Sequence, residues 1–221
     1  MRLLCISDIH GELNALRAVL ATAERRGYHK VLVAGDLCFP GPEPLETWRT
    51  LARAQAICVQ GVTDKALASI DPASLEEAAS SSPANRAMAR RFLEARKAVG
   101  ELVLERLRRL PTHHRIPLDN GAELLLVHGS PEDATEPITH DLDDDEISAL
   151  IGDDPADIIV CGMSHTPFVR EVGGVKVINV GSVGDAPGGS VAHATYIETS
   201  PGGILVDQIA VPLDDAIALG M

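Results

Sequence analysis

The chain has 221 residues, of which 45% are hydrophobic and 23% charged, as is typical of a soluble globular protein. Its formal net charge of −13 argues against nonspecific binding to nucleic-acid polymers or anionic membranes, because the field of the protein repels both. No apolar stretch approaches the roughly 20 residues of a membrane span, the start resembles no signal peptide, and the scattered cysteines favour reduced thiols. We therefore expect a cytoplasmic protein, for which a homo-oligomer remains an open alternative.

Strands and helices alternate in the first third of the chain. Short apolar runs predict strands at residues 2–7 and 30–34. Between them, apolar residues recur every three or four positions and predict a helix that ends near Gly27. A second helix is predicted at 43–54, followed by a strand at 56–60. This alternation is typical of a largely parallel sheet covered by helices.

The middle of the chain is helical and basic. After a polar break at 80–83, one apolar stripe runs from Met88 to Leu110 and predicts a long helix, with Gly100 as the candidate position for a bend. The many Arg and Lys residues indicate a solvated helix face, with a partner surface as the alternative. We expect one domain over residues 1–221, with a helical insertion at about 72–110.

Strands dominate the second half. They are predicted at residues 122–127, 157–161, 175–180, 191–198 and 203–211. Residues 132–157 carry eleven acidic residues and no Lys or Arg, which indicates a surface loop with a short helix. The α/β first half and the β-rich second half together predict two packed sheets with helices outside.

Metal-binding residue types follow several of the predicted strands. Asp8 and His10 come directly after the first strand, Asp36 follows the second, and His128 and His165 follow two later strands. In an open α/β sheet, sites form at the carboxyl ends of the strands. Carboxylates and imidazoles suit divalent Mn, Fe, Zn or Co, so these residues predict a metal site.

Five short motifs resemble, in the same order, those of the calcineurin-like metallophosphoesterases, particularly the small bacterial phosphodiesterases. They are Asp8-x-His10, Gly35-Asp36, Gly61-x-x-Asp64, His128-Gly129 and Gly162-x-x-His165. The resemblance spans residues 3–196 and includes a glycine-rich segment at 179–184. It implies a four-layer αββα sandwich of two mixed sheets flanked by helices. It also implies two metals about 3.5–4 Å apart that activate a water for attack on phosphorus.

The resemblance also implies roles for individual residues. Asp8, His10 and His165 would bind the first metal, Asp36 would bridge both metals, and His128 would bind the second. The implied activity is hydrolysis of a small phosphodiester or phosphoanhydride by a metal-bound hydroxide, with Asp36 and His128 as catalytic residues. With a single metal, His128 would be free to donate a hydrogen bond to the phosphoryl group or to transfer a proton.

Two departures from the family pattern affect the second metal. Val62 stands where the family usually has an Asn ligand, and Met163 stands where it has a His ligand. Valine has no donor atom, and the methionine thioether matches Mn or Mg poorly. We therefore expect one bound ion and a weakened second site. Thr63 replaces a His that in many relatives can protonate the leaving group.

Several alternatives remain open. Asp is a favoured helix N-cap, so Asp8 and Asp36 could cap helices, and His128 could be a core histidine. Asp64 could either hold a loop or contact a metal, and His193 could line the site from within a strand. The chain could also be a degenerate binding or scaffold protein on the same fold, as a retromer subunit of this superfamily is viewed, or a metal-stabilised structural protein.

Overall fold

The computed structural model describes residues 1–71, 73–75, 82–153 and 156–213. Its strands, in chain order, are β1 (Arg2–Ile6), β2 (Lys30–Val33), β3 (Ile57–Cys58), β4 (His113–Pro117), β5 (Glu123–Val127), β6 (Ile158–Cys161), β7 (Phe168–Val172), β8 (Val175–Asn179), β9 (Val191–Ser200) and β10 (Gly203–Pro212). Its principal helices are α1 (Leu13–Arg26), α2 (Pro44–Arg53), α3 (Val62–Ser69), α4 (Pro83–Arg108) and α5 (Asp144–Ile151). None of the described helices is both long and apolar enough to cross a membrane.

The strands form two five-stranded mixed sheets. The order of the first sheet is β10-β9-β1-β2-β3, in which β1–β2 and β2–β3 are parallel and the other pairs antiparallel. The order of the second is β4-β5-β6-β8-β7, in which β5–β6 and β6–β8 are parallel. Helices cover both sheets, which confirms the predicted αββα sandwich.

The alternation of side chains along β1 shows how the layers are held together. Leu3 and Cys5 belong to a core shared with residues of the second sheet. Leu4 and Ile6 belong to the core beneath α1, α2, α3 and α4. Because successive strand residues point to opposite faces, a strand that is apolar throughout contributes to both cores. A third core lies between the second sheet and α5.

Helix α4 is bent where the sequence predicts it. Its N-cap Ser82 accepts a hydrogen bond from the Asn85 backbone N–H at 3.1 Å. Gly100 then leaves the helical conformation, with φ 74° and ψ 165°. The start of the predicted insertion at residue 72, and part of the polar break at 80–81, lie outside the described residues. The single-domain organisation with this insertion stays a prediction.

Candidate metal centre

The five predicted ligands lie together at the carboxyl ends of strands from both sheets. Their ligand atoms form two groups, each within 4.8 Å: Asp8, His10 and His165, and Asp8, Asp36 and His128. Asp8 therefore belongs to both groups, whereas Asp36 belongs only to the second. Neither aspartate is a helix N-cap, since α1 and α2 begin after Glu12 and Glu43.

The backbone is strained at four of the candidate ligands and at Met163. Asp8, His10, Asp36, Met163 and His165 all have φ between 52° and 66°, a left-handed region that residues other than glycine rarely adopt. Backbone hydrogen bonds help to fix this conformation, for example from His10 N–H to the Asp36 carbonyl at 2.9 Å. Each such residue costs of order 1–3 kcal/mol, and strained residues of this kind cluster at functional sites.

The first group has the spacing of ligands around one ion. His165 Nε2 lies 3.2 Å from Asp8 Oδ1 and 3.3 Å from His10 Nε2, and His10 Nε2 lies 3.8 Å from Asp8 Oδ1. Ligand atoms bound tetrahedrally at about 2.1 Å are about 3.4 Å apart. The three atoms therefore surround a space that fits a divalent ion.

All three imidazoles present the same nitrogen to the cluster. Their Nδ1 atoms contact oxygen acceptors: His10 the Phe39 carbonyl at 2.7 Å, His128 the Ala34 carbonyl at 2.6 Å, and His165 Asp185 Oδ2 at 3.2 Å. Because these oxygens can only accept, each Nδ1 carries a proton and donates it. The Nε2 lone pair of each neutral ring is then available to a metal.

The second group leaves buried polar atoms unsatisfied. His128 Nε2 lies 3.6 Å from Asp36 Oδ2, and Asp36 Oδ1 accepts the Thr63 backbone N–H at 2.8 Å. Among the described residues, His128 Nε2 and Asp8 Oδ1 are buried without a hydrogen-bond partner. Such atoms cost about 1–3 kcal/mol each, and a bound cation would satisfy both. His128 is thus not a satisfied core histidine, and the donor set fits a metal.

The carboxylates and imidazoles of the site shift one another's pKa values toward the charged forms. Burial lowers the pKa of His128, but the negative charge of the neighbouring Asp36 outweighs this effect and raises the pKa to about 9. Burial raises the pKa of Asp36, but its contacts with His128 outweigh that effect and lower the pKa. The contact with the Asp8 carboxylate raises the pKa of His165. The Asp36 carboxylate is therefore held ionised, the form in which it binds a metal.

Asp64 and His193 lie beside the cluster but in neither ligand group. Both Asp64 oxygens accept backbone N–H groups, from Leu37 at 3.0 Å and Gly61 at 3.1 Å. Burial raises the pKa of Asp64 to about 7, and the charge of Asp36 adds to this rise. The half-buried His193 accepts the Ser182 N–H through Nδ1 at 3.4 Å. Asp64 thus holds the loops after β2 and β3.

Val62 and Met163, which depart from the family pattern, differ in their contacts with the site. Val62 is the first residue of α3 and is 38% exposed. Met163 supplies a backbone contact, since its N–H donates to Asp8 Oδ2 at 2.9 Å. Oδ2 is thereby held by the backbone, and Oδ1 is the oxygen left for the imidazoles.

The end of β8 and the segment that follows it support the candidate ligands through contacts that the sequence analysis did not predict. Ser182 Oγ donates to the Asp8 carbonyl at 2.8 Å, and Asn179 Nδ2 donates to the Gly162 carbonyl at 2.6 Å. Asp185 contacts His165 as described above. These contacts could have been suspected from the sequence, because the glycine-rich segment at 179–184 is part of the family resemblance and Asp185 directly follows it.

A cavity of about 280 Å³ opens beside the first group. Its described lining residues are His10, Glu12, Pro40, Gly41, Arg91, His165, Gly184 and Asp185. The cluster is therefore accessible to a small molecule from this side.

Comparison with known proteins identifies the family. A model of the calcineurin-like phosphoesterase superfamily domain matches residues 1–201. No curated protein sequence matches the chain.

Solved structures share the fold. A hypothetical protein from Pyrococcus horikoshii OT3 is 20% identical, with a TM-score of 0.81 over 98% of this chain and 90% of its own. A metallophosphoesterase from Sphaerobacter thermophilus is 23% identical, with a TM-score of 0.71 over 95% and 88%. The E. coli phosphoesterase Yfce is 21% identical, with a TM-score of 0.53 over 96% and 100%. At these identities the likeness shows the fold alone.

Proposed function

The chain belongs to the calcineurin-like phosphoesterase superfamily, and from this membership we propose that it is a metal-dependent hydrolase of small phosphodiesters or phosphoanhydrides. The observation that carries the proposal is the convergence of three Nε2 atoms on buried carboxylates, with every Nδ1 committed elsewhere. Imidazoles fixed in this way are typical of metal sites. The cytoplasmic location and the small phosphorylated partner stay predictions.

The first ion would be held by Asp8, His10 and His165, and the second position offers Asp8, Asp36 and His128. This donor set suits Mn, Fe, Zn or Co. When bound, such an ion lowers the pKa of a water molecule and polarises the phosphoryl oxygen. Val62 and Met163 remove two usual ligands from the second position, so its affinity is expected to be lower.

His128, supported by Asp36, would act on the phosphoryl group directly. His128 Nε2 is buried and faces Asp36, so without a second ion it can donate a hydrogen bond only towards the cluster. Asp36 stabilises the protonated form of His128 and is itself oriented by the Thr63 N–H. Protonated His128, held in place by Asp36, would stabilise negative charge that develops on the phosphoryl oxygens.

The replacement Asp8→Ala tests this proposal, because Asp8 belongs to both ligand groups. We expect elemental analysis to show loss of bound metal, and hydrolysis of bis(p-nitrophenyl) phosphate with added Mn²⁺ to fall by about 100-fold or more. Asp145→Ala, which removes an exposed carboxylate on α5, is the matched control and should change neither. Full metal occupancy in Asp8→Ala would overturn the assignment.

A non-catalytic binding protein on the same fold is the second candidate, favoured by Val62 and Met163. The two candidates differ in one measurement on the metal-loaded protein. A screen of phosphomonoesters, phosphodiesters and phosphoanhydrides with no turnover above that of Asp8→Ala would favour the binding protein.

A further inference from the structure

Helix α4 brings an arginine to the rim of the candidate metal centre. Arg91 lines the 280 Å³ cavity that also contacts His10 and His165. It lines a second cavity of about 320 Å³ as well, and Pro40 and Gly41 are common to both cavities. The two cavities therefore adjoin each other at Arg91.

The loop after β2 holds this arginine and a candidate metal ligand together. Arg91 Nη2 donates to the Pro40 carbonyl at 2.7 Å, and His10 Nδ1 donates to the preceding carbonyl, that of Phe39, at 2.7 Å. The rings of Phe39 and Phe92 pack edge to face with centroids 5.2 Å apart. Two successive peptide groups thus fix the position of Arg91 relative to the cluster, which reduces the entropy lost when a ligand binds.

The charges around the cavity give Arg91 a specific use. Among its described lining residues, Arg91 alone carries a permanent positive charge, and Glu12 and Asp185 are acidic. Arginine has five N–H donors in a planar fork, so the contact with Pro40 leaves others for a ligand. A negatively charged group is therefore repelled near Glu12 and attracted near Arg91.

We propose that Arg91 binds a second anionic group of the substrate, next to the phosphoryl group that is attacked. The substrate class is then a phosphoanhydride, or a phosphodiester that carries a further phosphate or carboxylate. The rest of such a molecule would occupy the second cavity, whose described lining includes Pro42, Pro44, Ala95 and Ala98. This inference rests on the proposed function and narrows its substrate.

The test compares Arg91→Gln with Arg90→Gln. Arg90 is the neighbouring cation on α4 and pairs with Glu94. It lines neither of the two cavities. With ADP, which has two anionic centres, we expect Arg91→Gln to lower kcat/KM by roughly 10- to 100-fold, mainly through KM, as loss of a charged hydrogen bond does. With bis(p-nitrophenyl) phosphate, which has one, the change should stay within about twofold, and Arg90→Gln should affect neither substrate.

A binding measurement separates this inference from the proposed function. Calorimetry on the metal-loaded protein, with metal in excess, should show that Arg91→Gln weakens methylenediphosphonate binding by about tenfold but leaves methylphosphonate unchanged. If the natural protein hydrolyses neither substrate, the proposed function fails, while this selective loss would still support the role of Arg91. The role of Arg91 would be overturned if Arg91→Gln weakened methylenediphosphonate and methylphosphonate binding equally, or changed kcat/KM equally for ADP and bis(p-nitrophenyl) phosphate. It would also be overturned if the substitution had no effect.

Discussion

The three histidines of the candidate metal centre differ in what holds their Nδ1 atoms. His10 and His128 donate to the backbone carbonyls of Phe39 and Ala34, so the segment that follows β2 fixes the orientation of both rings. His165 instead contacts the carboxylate of Asp185, whose side chain is 73% exposed. A carboxylate partner both orients an imidazole and makes it a more basic ligand. His165 is therefore the candidate ligand whose basicity a surface substitution can change.

The substitution Asp185→Asn should weaken metal binding about 10- to 100-fold, the usual effect of removing such a partner. The amide keeps the shape of the side chain but replaces the charged acceptor with a neutral one. Competition with a metal-binding dye measures the affinity. Asp145→Asn on α5 makes the same change at an exposed site and should leave the affinity unchanged. Equal affinities in Asp185→Asn and the natural chain would exclude this role for Asp185.

The double change Val62→Asn with Met163→His should rebuild the second metal position. The resemblance places ligands of these types there, and they would join Asp8, Asp36 and His128. We expect bound metal to rise from about one ion toward two per chain and phosphodiesterase activity to rise with it. The reason is that the two new donors add to only three candidate ligands, one of which, Asp8, is shared with the first group.

Val62→Ala with Met163→Leu is the matched control for that double change, since it alters the same positions without adding donor atoms. Its metal content should equal that of the natural chain. Two tightly held ions in the natural chain, measured by elemental analysis, would contradict the expected weakness of the second position.

At the scale of elements, apolar strands were predictable and polar edge strands were not. The strands that precede the candidate ligands begin and end within one residue of their predicted positions, because apolar runs identify buried strands. In contrast, β4 and β7 were not predicted. In β4, His113, His114 and Arg115 are all exposed, so only pairing with β5 makes this segment a strand. Such pairing depends on the neighbouring strand, not on local sequence.

Gly100 provides a test of the bend in α4. In a straight helix, Gly→Ala stabilises by about 1 kcal/mol. Here φ is 74° and ψ is 165°, a conformation nearly restricted to glycine, and nothing lies within 4 Å of an added Cβ. Gly100→Ala should therefore destabilise the protein by about 1–3 kcal/mol through the backbone alone.

Urea unfolding measures this free energy. The control Glu101→Ala changes the next, exposed position of α4 and should stay within about 0.5 kcal/mol of the natural chain. The sign of the Gly100→Ala effect is decisive, since a stabilised variant would show that the helix is straight at this point.

At the scale of the molecule, the candidate site joins the two sheets. Asp8, His10 and Asp36 follow strands of the first sheet, whereas His128 and His165 follow strands of the second. The order of the motifs was sufficient to predict that these five residues meet. It could not predict that Asp8 is the residue shared by both groups, because that depends on how the sheets pack and on the left-handed backbone at the strand ends.

Because the ligands come from both sheets, a bound ion should stabilise the packed molecule. The unfolded chain cannot present this ligand set, so an ion at 100 times its dissociation constant adds about 2.7 kcal/mol of stability. For a domain of this size, removal of the metal with EDTA should lower the unfolding temperature by roughly 5–10 °C. Calorimetry of the natural chain with and without EDTA measures the shift, and Asp8→Ala, which lacks a residue of both groups, should show none. A shift of equal size in Asp8→Ala, or no shift in the natural chain, would mean that no ion links the two sheets at this site.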